Sequence, residues 1–442
     1  MLRAYNHRRA QPGHDLYDVF FTEHTKFQYP PTALLPIDAL PASLTSIGPP
    51  LQSGLTSALT WASRAAVVAT ALLTWMLLEI RLRAADTADL QPVDHDAADV
   101  TPHALGIKGG ASMRLVLVGA LALTYYPLLK GYALGQVQVM LDMGVAGALV
   151  LFSLGCERSA GAVLAACALV KPQYAIVLLW GVLRRRGRFT AVCATVLAVG
   201  VGLAVLRFGF EAQISYVSVL RELSRHGEAY WPNQSANGLV NRWFNTADAR
   251  TFDEHGFPPY QTAVYAVTLV SSALFLGAAL LGDLPARFRP QPRMSHDPQR
   301  VEHATEHAGF TDLLVVLAAA TIASPIAWEH HYGVFLPLII GVLPSLAADR
   351  PLGRMTLPFA SLSYLAIACV VARPEWLFVT RLRGLAASHL FAGAVGTFVL
   401  LLAERTLLRA TARLGKSVGV TRRDTRVQPL GVSTSAIVTR RP

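Results

Sequence analysis

Long apolar blocks separated by short, arginine-rich polar stretches set the pattern of this chain. Ala58–Ile80, Thr190–Leu206, Thr262–Leu281, Leu313–Ile326, Val334–Leu346 and His389–Ala403 reach or approach the roughly 20 residues that carry a helix across a bilayer. Leu115–Leu129, Val137–Leu154 and Leu357–Val371 add further runs of the same kind. Two more, Ala160–Val170 and Tyr174–Leu183, are each about half that length and are interrupted by Lys171-Pro172. They read as a re-entrant or strongly kinked pair, which a bilayer tolerates when the break is buried in protein. The pattern predicts an all-α, polytopic transmembrane helical bundle of about 8–10 membrane segments, the kinked pair included.

Three regions follow. Residues 1–57 read as a polar outer-face loop with an interfacial segment; Pro30, Pro31, Pro36, Pro41, Pro49 and Pro50 within it disfavour one continuous helix. Residues 58–404 form the helical domain, with its longest outer loop at 207–261. Residues 405–442 form a basic cytoplasmic tail, read as disordered from 416 onward.

The 442 residues are 53% apolar and carry a formal net charge of +11. Nucleic-acid binding could account for such a charge, but its placement argues otherwise. Arg81–Arg83, Arg184–Arg188, Arg287–Arg293, Arg350–Arg354 and Arg405–Arg423 each abut an apolar run, the positive-inside pattern that orients membrane helices. With these clusters inside, residues 27–31, 171–172, 231–238 and 324–331 all gather on the outer half. Arg373–Arg383 is the one basic stretch left outside. A multi-pass protein of the inner or plasma membrane is expected, with the bilayer as one partner. Cys156, Cys167, Cys193 and Cys369 show neither CxxC spacing nor a loop pair, so core thiols are expected.

The chemistry-bearing residues lie in the breaks between apolar runs. Ser324-Pro-Ile-Ala-Trp-Glu-His-His331 places Glu329, His330 and His331 beside a proline and Trp328. On a continuous helix Ser324, Trp328 and His331 share a face. Interfacial anchoring explains the tryptophan equally well. Lys171 needs an anion, such as a lipid phosphate, or else an internal partner, with Asp142 the candidate. Asp142 itself reads as a helix–helix hydrogen-bonding group or a pathway residue. Asn233, Gln234 and Asn237, beside Tyr230 and Trp231, suit sugar hydroxyls but could equally cap a short helix starting near Ser235. Adjacent histidines do not reproduce the i, i+4 spacing of a zinc helix, so no metal is expected.

In order along the chain, Leu16-Tyr-Asp18, Phe27-Gln-Tyr-Pro-Pro31, Gly135-Gln136, Leu169–Pro172 followed by Arg184–Arg188, Asn233–Gly238 and Ser324–His331 resemble glycosyltransferase family 87. The resemblance covers residues 13–345 and implies a GT-C-type membrane enzyme. It implies transfer of a sugar, most commonly mannose, from a polyprenyl-phosphate donor to a glycolipid or glycan acceptor at the outer face, with no cofactor. By resemblance, His330, His331 and Glu329 are the catalytic candidates, and Tyr29, Gln136, Lys171, Asn233, Gln234, Asn237 and Trp328 the substrate-binding ones. Transfer needs a carboxylate to take the acceptor proton and cations to steady the departing phosphate. The position where the family carries its Asp falls at Met1, and the family's first helix would precede it. A start further upstream, or a truncated gene, is therefore expected. Asp15, Asp18 and Glu23 are the substitutes within the visible loop, with Asp18 read as shaping that loop. Gln138 stands where relatives tend to show Asn. The competing readings are a transporter or flippase for a lipid-linked sugar and an N-terminally truncated, inactive paralogue.

Overall fold

The computed structural model describes residues 5–6, 15–21, 26–40, 49–89, 110–244, 249, 251–253, 256–282, 298–347, 353–369 and 387–421. Met1, Glu23, residues 90–109 and 283–297, Arg373–Arg383 and the tail beyond Thr421 fall outside them. Among the described residues the protein is helical, and its one β-type contact is an isolated antiparallel bridge between Asn233 and Trp328.

The helices are α1 (Pro49–Asp89), α2 (Ala111–Thr124), α3 (Tyr126–Ala133), α4 (Gln138–Ser153), α5 (Glu157–Val170), α6 (Ile176–Leu183) and α7 (Gly187–Phe208). They continue as α8 (Phe210–His226), α9 (Ala236–Phe244), α10 (Thr262–Leu281), α11 (Pro298–Ile322), α12 (Phe335–Ala347), α13 (Gly353–Ala368) and α14 (His389–Thr421). Segments of α1, α7, α10 and α14 are long and apolar enough to cross a membrane. The shorter apolar segments Gln138–Ser153, Pro172–Leu183, His307–Ile322 and Met355–Ala368 pack with them. The disordered tail expected from residue 416 is helical as far as Thr421.

Prolines decide where the helices break. The run expected as one span at Leu115–Leu129 is instead a pair, α2 and α3, bent by 56°. Pro127 is the reason: it lacks the N–H that would continue the ladder, and Tyr125 drops out of helical geometry at ψ 102°. The same rule acts at Lys171-Pro172. The residue before a proline is pushed away from the helical region, so Lys171 sits extended at φ −128°, ψ 100°, and α5 ends at Val170. Pro172 then opens a 3-10 turn, Pro172–Ala175, that leads into α6.

The core runs through the bundle, with α1 against α4 and α12, α4 against α5, α5 against α7, and α11 and α13 against α14. Leu77, Val145, Trp180, Phe189, Phe310 and Phe335 lie in one continuous buried cluster. Small residues permit close approach: a Cβ on Gly161 would lie 2.7 Å from the Phe189 carbonyl oxygen, so α5 and α7 meet almost backbone to backbone. Leu206, Leu274 and Leu362 point outward, as lipid-facing positions do. A second cluster of Leu16, Tyr17, Phe20, Phe27, Tyr216 and Val219 holds the N-terminal loop on α8.

The two ends of the bundle differ in chemistry. At one end Asp312, buried on α11, accepts hydrogen bonds from Trp180 Nε1 at 3.0 Å and from the Arg184 guanidinium, and pairs with Arg405 at 3.1 Å and Arg409 at 3.4 Å. Arg184 and Arg405 also donate to the last carbonyls of α10, at Ala278, Ala279 and Leu280. The candidate site occupies the other end.

Candidate functional site

The polar motifs that are scattered along the sequence meet in space. Tyr29 donates to Gln136 Oε1 at 3.4 Å, joining the N-terminal loop to the α3–α4 turn. Thr32 donates to the Leu169 carbonyl, which docks the same loop on the end of α5 beside Lys171. Lys171 Nζ lies 2.6 Å from Gln138 Oε1 at the start of α4. The 231–238 and 324–331 motifs form one unit through their backbones: Gln234 N donates to the Ala327 carbonyl at 2.8 Å, and Glu329 N to Pro232 at 3.0 Å. Tyr332 ties the unit further by donating to the Gln234 carbonyl.

The segment around the histidines is a break between two helices, as the two separate apolar runs on either side of it imply. Pro325 follows Ser324, and α11 ends at Ile322. Trp328 is extended at φ −71°, ψ 155°, and a 3-10 helix, Glu329–Val334, starts after it. Ser324, Trp328 and His331 therefore share no helical face. His331 Nδ1 instead accepts from the Trp328 backbone N–H at 3.3 Å, capping the short helix. The His330 ring stands edge-on to His331 with centroids 4.7 Å apart, and 6.0 Å from the Trp328 ring. The base of the His330 side chain lies against Gly131 of α3, where a Cβ would sit 3.5 Å from the His330 Cβ. Burial pushes both imidazoles well below their ordinary range, and the charge of Lys171 pushes the same way. Both are neutral at pH 7 and resist protonation; His331 Nδ1 is already taken by Trp328. Glu329 is buried beside them.

Lys171 is 7% exposed, and among the described residues no carboxylate lies within ion-pair distance of it. The expected pairing with Asp142 runs through an intermediary. Gln138 accepts from Lys171 and donates through Nε2 to Asp142 Oδ1 at 2.7 Å. Gln138 and Asp142 are one helical turn apart on α4, so their side chains share a face. Asp142 in turn abuts Gly333: a Cβ there would overlap its carboxylate. The i, i+4 spacing of two polar side chains in an otherwise apolar helix is the sequence signal for this link.

Asn233, Gln234 and Asn237 are spent on the fold. Asn233 donates to the Glu228 and Pro325 carbonyls and accepts from Ala327 N at 3.0 Å. Gln234 donates to Trp231 and Ala387 carbonyls; its Oε1 has no hydrogen-bond partner among the described residues. Asn237 accepts from Glu228 N at 3.2 Å and donates to Thr268 at 2.9 Å. Ser235 Oγ accepts from Gly238 N at 3.0 Å, so the motif caps α9. Asp15 and Asp18 are also engaged: Asp18 accepts from Asp15 N at 2.9 Å, and Asp15 accepts from Tyr17 N and Ser215. Lys26 and Glu228 form a buried pair at 2.7 Å, with Phe252 and Phe257 rings over the ammonium. Among the described residues, no three His, Cys, Asp or Glu side chains gather to hold a metal.

The profile described as glycosyltransferase family 87 matches residues 27–295. A polyprenol-phosphate-mannose-dependent alpha-(1-2)-phosphatidylinositol pentamannoside mannosyltransferase of Mycobacterium tuberculosis (strain CDC 1551 / Oshkosh) is 26% identical over 239 residues. That stretch is 53% of this chain and 47% of the relative, so the chain spans about half of the relative it matches. No solved structure matches.

Proposed function

Because the chain belongs to glycosyltransferase family 87, we propose that it transfers a sugar, mannose first among candidates, from a polyprenyl-phosphate donor to a glycolipid or glycan acceptor at the outer face of the membrane. The mannosyltransferase relative supports the donor class. The convergence of Tyr29, Gln136, Lys171 and His330 at one end of an apolar bundle is the observation that carries the reading.

The chemistry needs three things. A cation must meet the phosphate as it departs, and Lys171 offers a compact ammonium without a direct carboxylate partner. The site must be dry, which strengthens that interaction; Lys171 and His330 are buried. The acceptor hydroxyl must be oriented for attack, and His330, a buried neutral imidazole, is suited to accept a hydrogen bond from it. Lys171 stands for phosphate binding, His330 for the acceptor side, and His331 for holding the turn.

The test is a transfer assay in membranes, with radiolabelled polyprenyl-phosphate mannose and wild type, Lys171→Gln and His330→Ala. Label should enter a new glycolipid with wild type and fall by at least ~100-fold in each variant. Transfer that survives either substitution unchanged removes that residue from the site. A wild type inert toward mannose but active with another polyprenyl-phosphate sugar would correct the donor.

A further inference from the structure

We propose that Asp142 is a positioning residue for Lys171, acting through Gln138 as a hydrogen-bonded relay. The inference rests on the reading of Lys171 as the donor-phosphate cation. It adds what holds that cation in place and what balances its charge.

Lys171 is extended because Pro172 follows it, so its side chain projects from a break instead of lying along a helix. A flexible ammonium on four methylenes does not stay aimed without a partner. Gln138 is that partner at 2.6 Å, and its other end is fixed by Asp142 at 2.7 Å. The polarity of the chain is set throughout. An ammonium only donates, so it takes the Gln138 carbonyl oxygen, and the amide nitrogen must then face an acceptor. The carboxylate supplies one. Its negative charge sits one residue removed from the ammonium, near enough to offset the burial of the cation. It is too far to occupy the ammonium's remaining donors, which stay available to a phosphate.

Asp142 also has no exposure to solvent, and its Oδ2 makes no hydrogen bond among the described residues. A carboxylate in that position is costly unless it balances a cation. Gly333, three residues after His330, leaves the room it fills. One group therefore spaces the Lys171 break from the histidine turn.

The experiment uses the full chain in lipid nanodiscs, with two readouts. Binding of undecaprenyl phosphate is measured directly, and transfer from the polyprenyl-phosphate sugar is resolved into donor KM and kcat. Asp142→Asn keeps the shape and removes the charge. Its donor affinity should fall about tenfold or more, in both readouts, the scale of losing support for one charge-assisted contact. The double variant Gln138→Glu with Asp142→Asn reverses the relay: the carboxylate introduced at position 138 accepts from Lys171, and the amide introduced at position 142 donates to that carboxylate. One negative charge and every hydrogen bond are kept, so donor affinity should return to within about threefold of wild type. A merely space-filling Asp142 would be replaced by Asn without effect, or would show equal loss in the single and double variants. Either result overturns the proposal, as does a wild type that fails to bind undecaprenyl phosphate. Wild-type binding without mannose transfer would count against the sugar assignment alone, and the binding arm would still decide the relay.

Discussion

Removing the negative charge of Asp312 should destabilise the protein from the end opposite the site. Arg184 and Arg405 have side chains only 3% and 5% exposed, and Asp312 only 1%. Asp312→Asn leaves two buried guanidinium groups facing a neutral amide whose NH2 presents donors to donors. Breaking a buried pair from one side costs about 3–5 kcal/mol. The C-terminal carbonyls of α10 keep their contacts to both arginines, at 2.9 to 3.0 Å, and their partial negative charge offsets part of the loss. The expected value is therefore near the lower limit, about 3 kcal/mol. Unfolding entropy grows with chain length, so this corresponds to roughly 3 °C in Tm for a chain of this size. The assay is heating of detergent-solubilised protein followed by size-exclusion chromatography with fluorescence detection, beside transfer activity per folded molecule. Activity should be unchanged, because the cluster is remote from Lys171. A Tm within about 1 °C of wild type would refute the reasoning, since the arginines would then be satisfied without the carboxylate.

Three further outcomes follow from the site. Gly333→Ala places a methyl group on the Asp142 carboxylate and should cost about 1–3 kcal/mol with reduced transfer; a stable, fully active variant would show that α4 and the histidine turn can separate freely. Asn237→Ala strips a buried acceptor from Glu228 N–H and should lower stability by about 1–3 kcal/mol without changing donor or acceptor KM in the surviving fraction, whereas a KM defect at wild-type Tm would restore the sugar-contact reading. Since burial holds His330 and His331 below their unfolded range, the unfolded chain binds protons that the native state does not. Their contribution to stability is complete above about pH 6.5 and is lost as pH falls toward the native values. Tm measured between pH 7.5 and 5 should decline in wild type and decline less in His330→Gln and His331→Gln; equal slopes in all three would contradict the assignment.

The membrane helices are legible in the sequence because bilayer length and apolar content impose one solution. Thr262–Leu281 coincides with α10, and the break at Lys171-Pro172 lies where the proline requires it. The bend at Pro127 carries the same signal but sits inside an apolar run, where hydropathy alone reads straight through. Motifs grouped by their order along the chain meet in space: backbone and side-chain contacts join residues 29 with 136 and 232–234 with 327–329. Roles are less legible. Asn233 and Asn237 have the chemistry of sugar ligands and of caps alike, and only their partners decide. Trp328 and His331 share a face only if the helix is continuous, and Pro325 ends that condition. Asp312 lies near the beginning of an apolar stretch, and nothing local announces that three arginines from two distant segments close on it.

The proline-made breaks have a consequence for how such a site is mapped. At Lys171, at Tyr125 and at Trp328 the chain leaves helical geometry among apolar neighbours. Each interruption takes main-chain groups out of a continuous i to i−4 ladder in an apolar setting, where dipoles act with little screening. Those groups belong to no particular side chain, so alanine scanning passes over them. A complete polar inventory of these breaks requires substitutions of the peptide unit itself, such as ester replacements, because side-chain substitutions leave the main-chain groups in place.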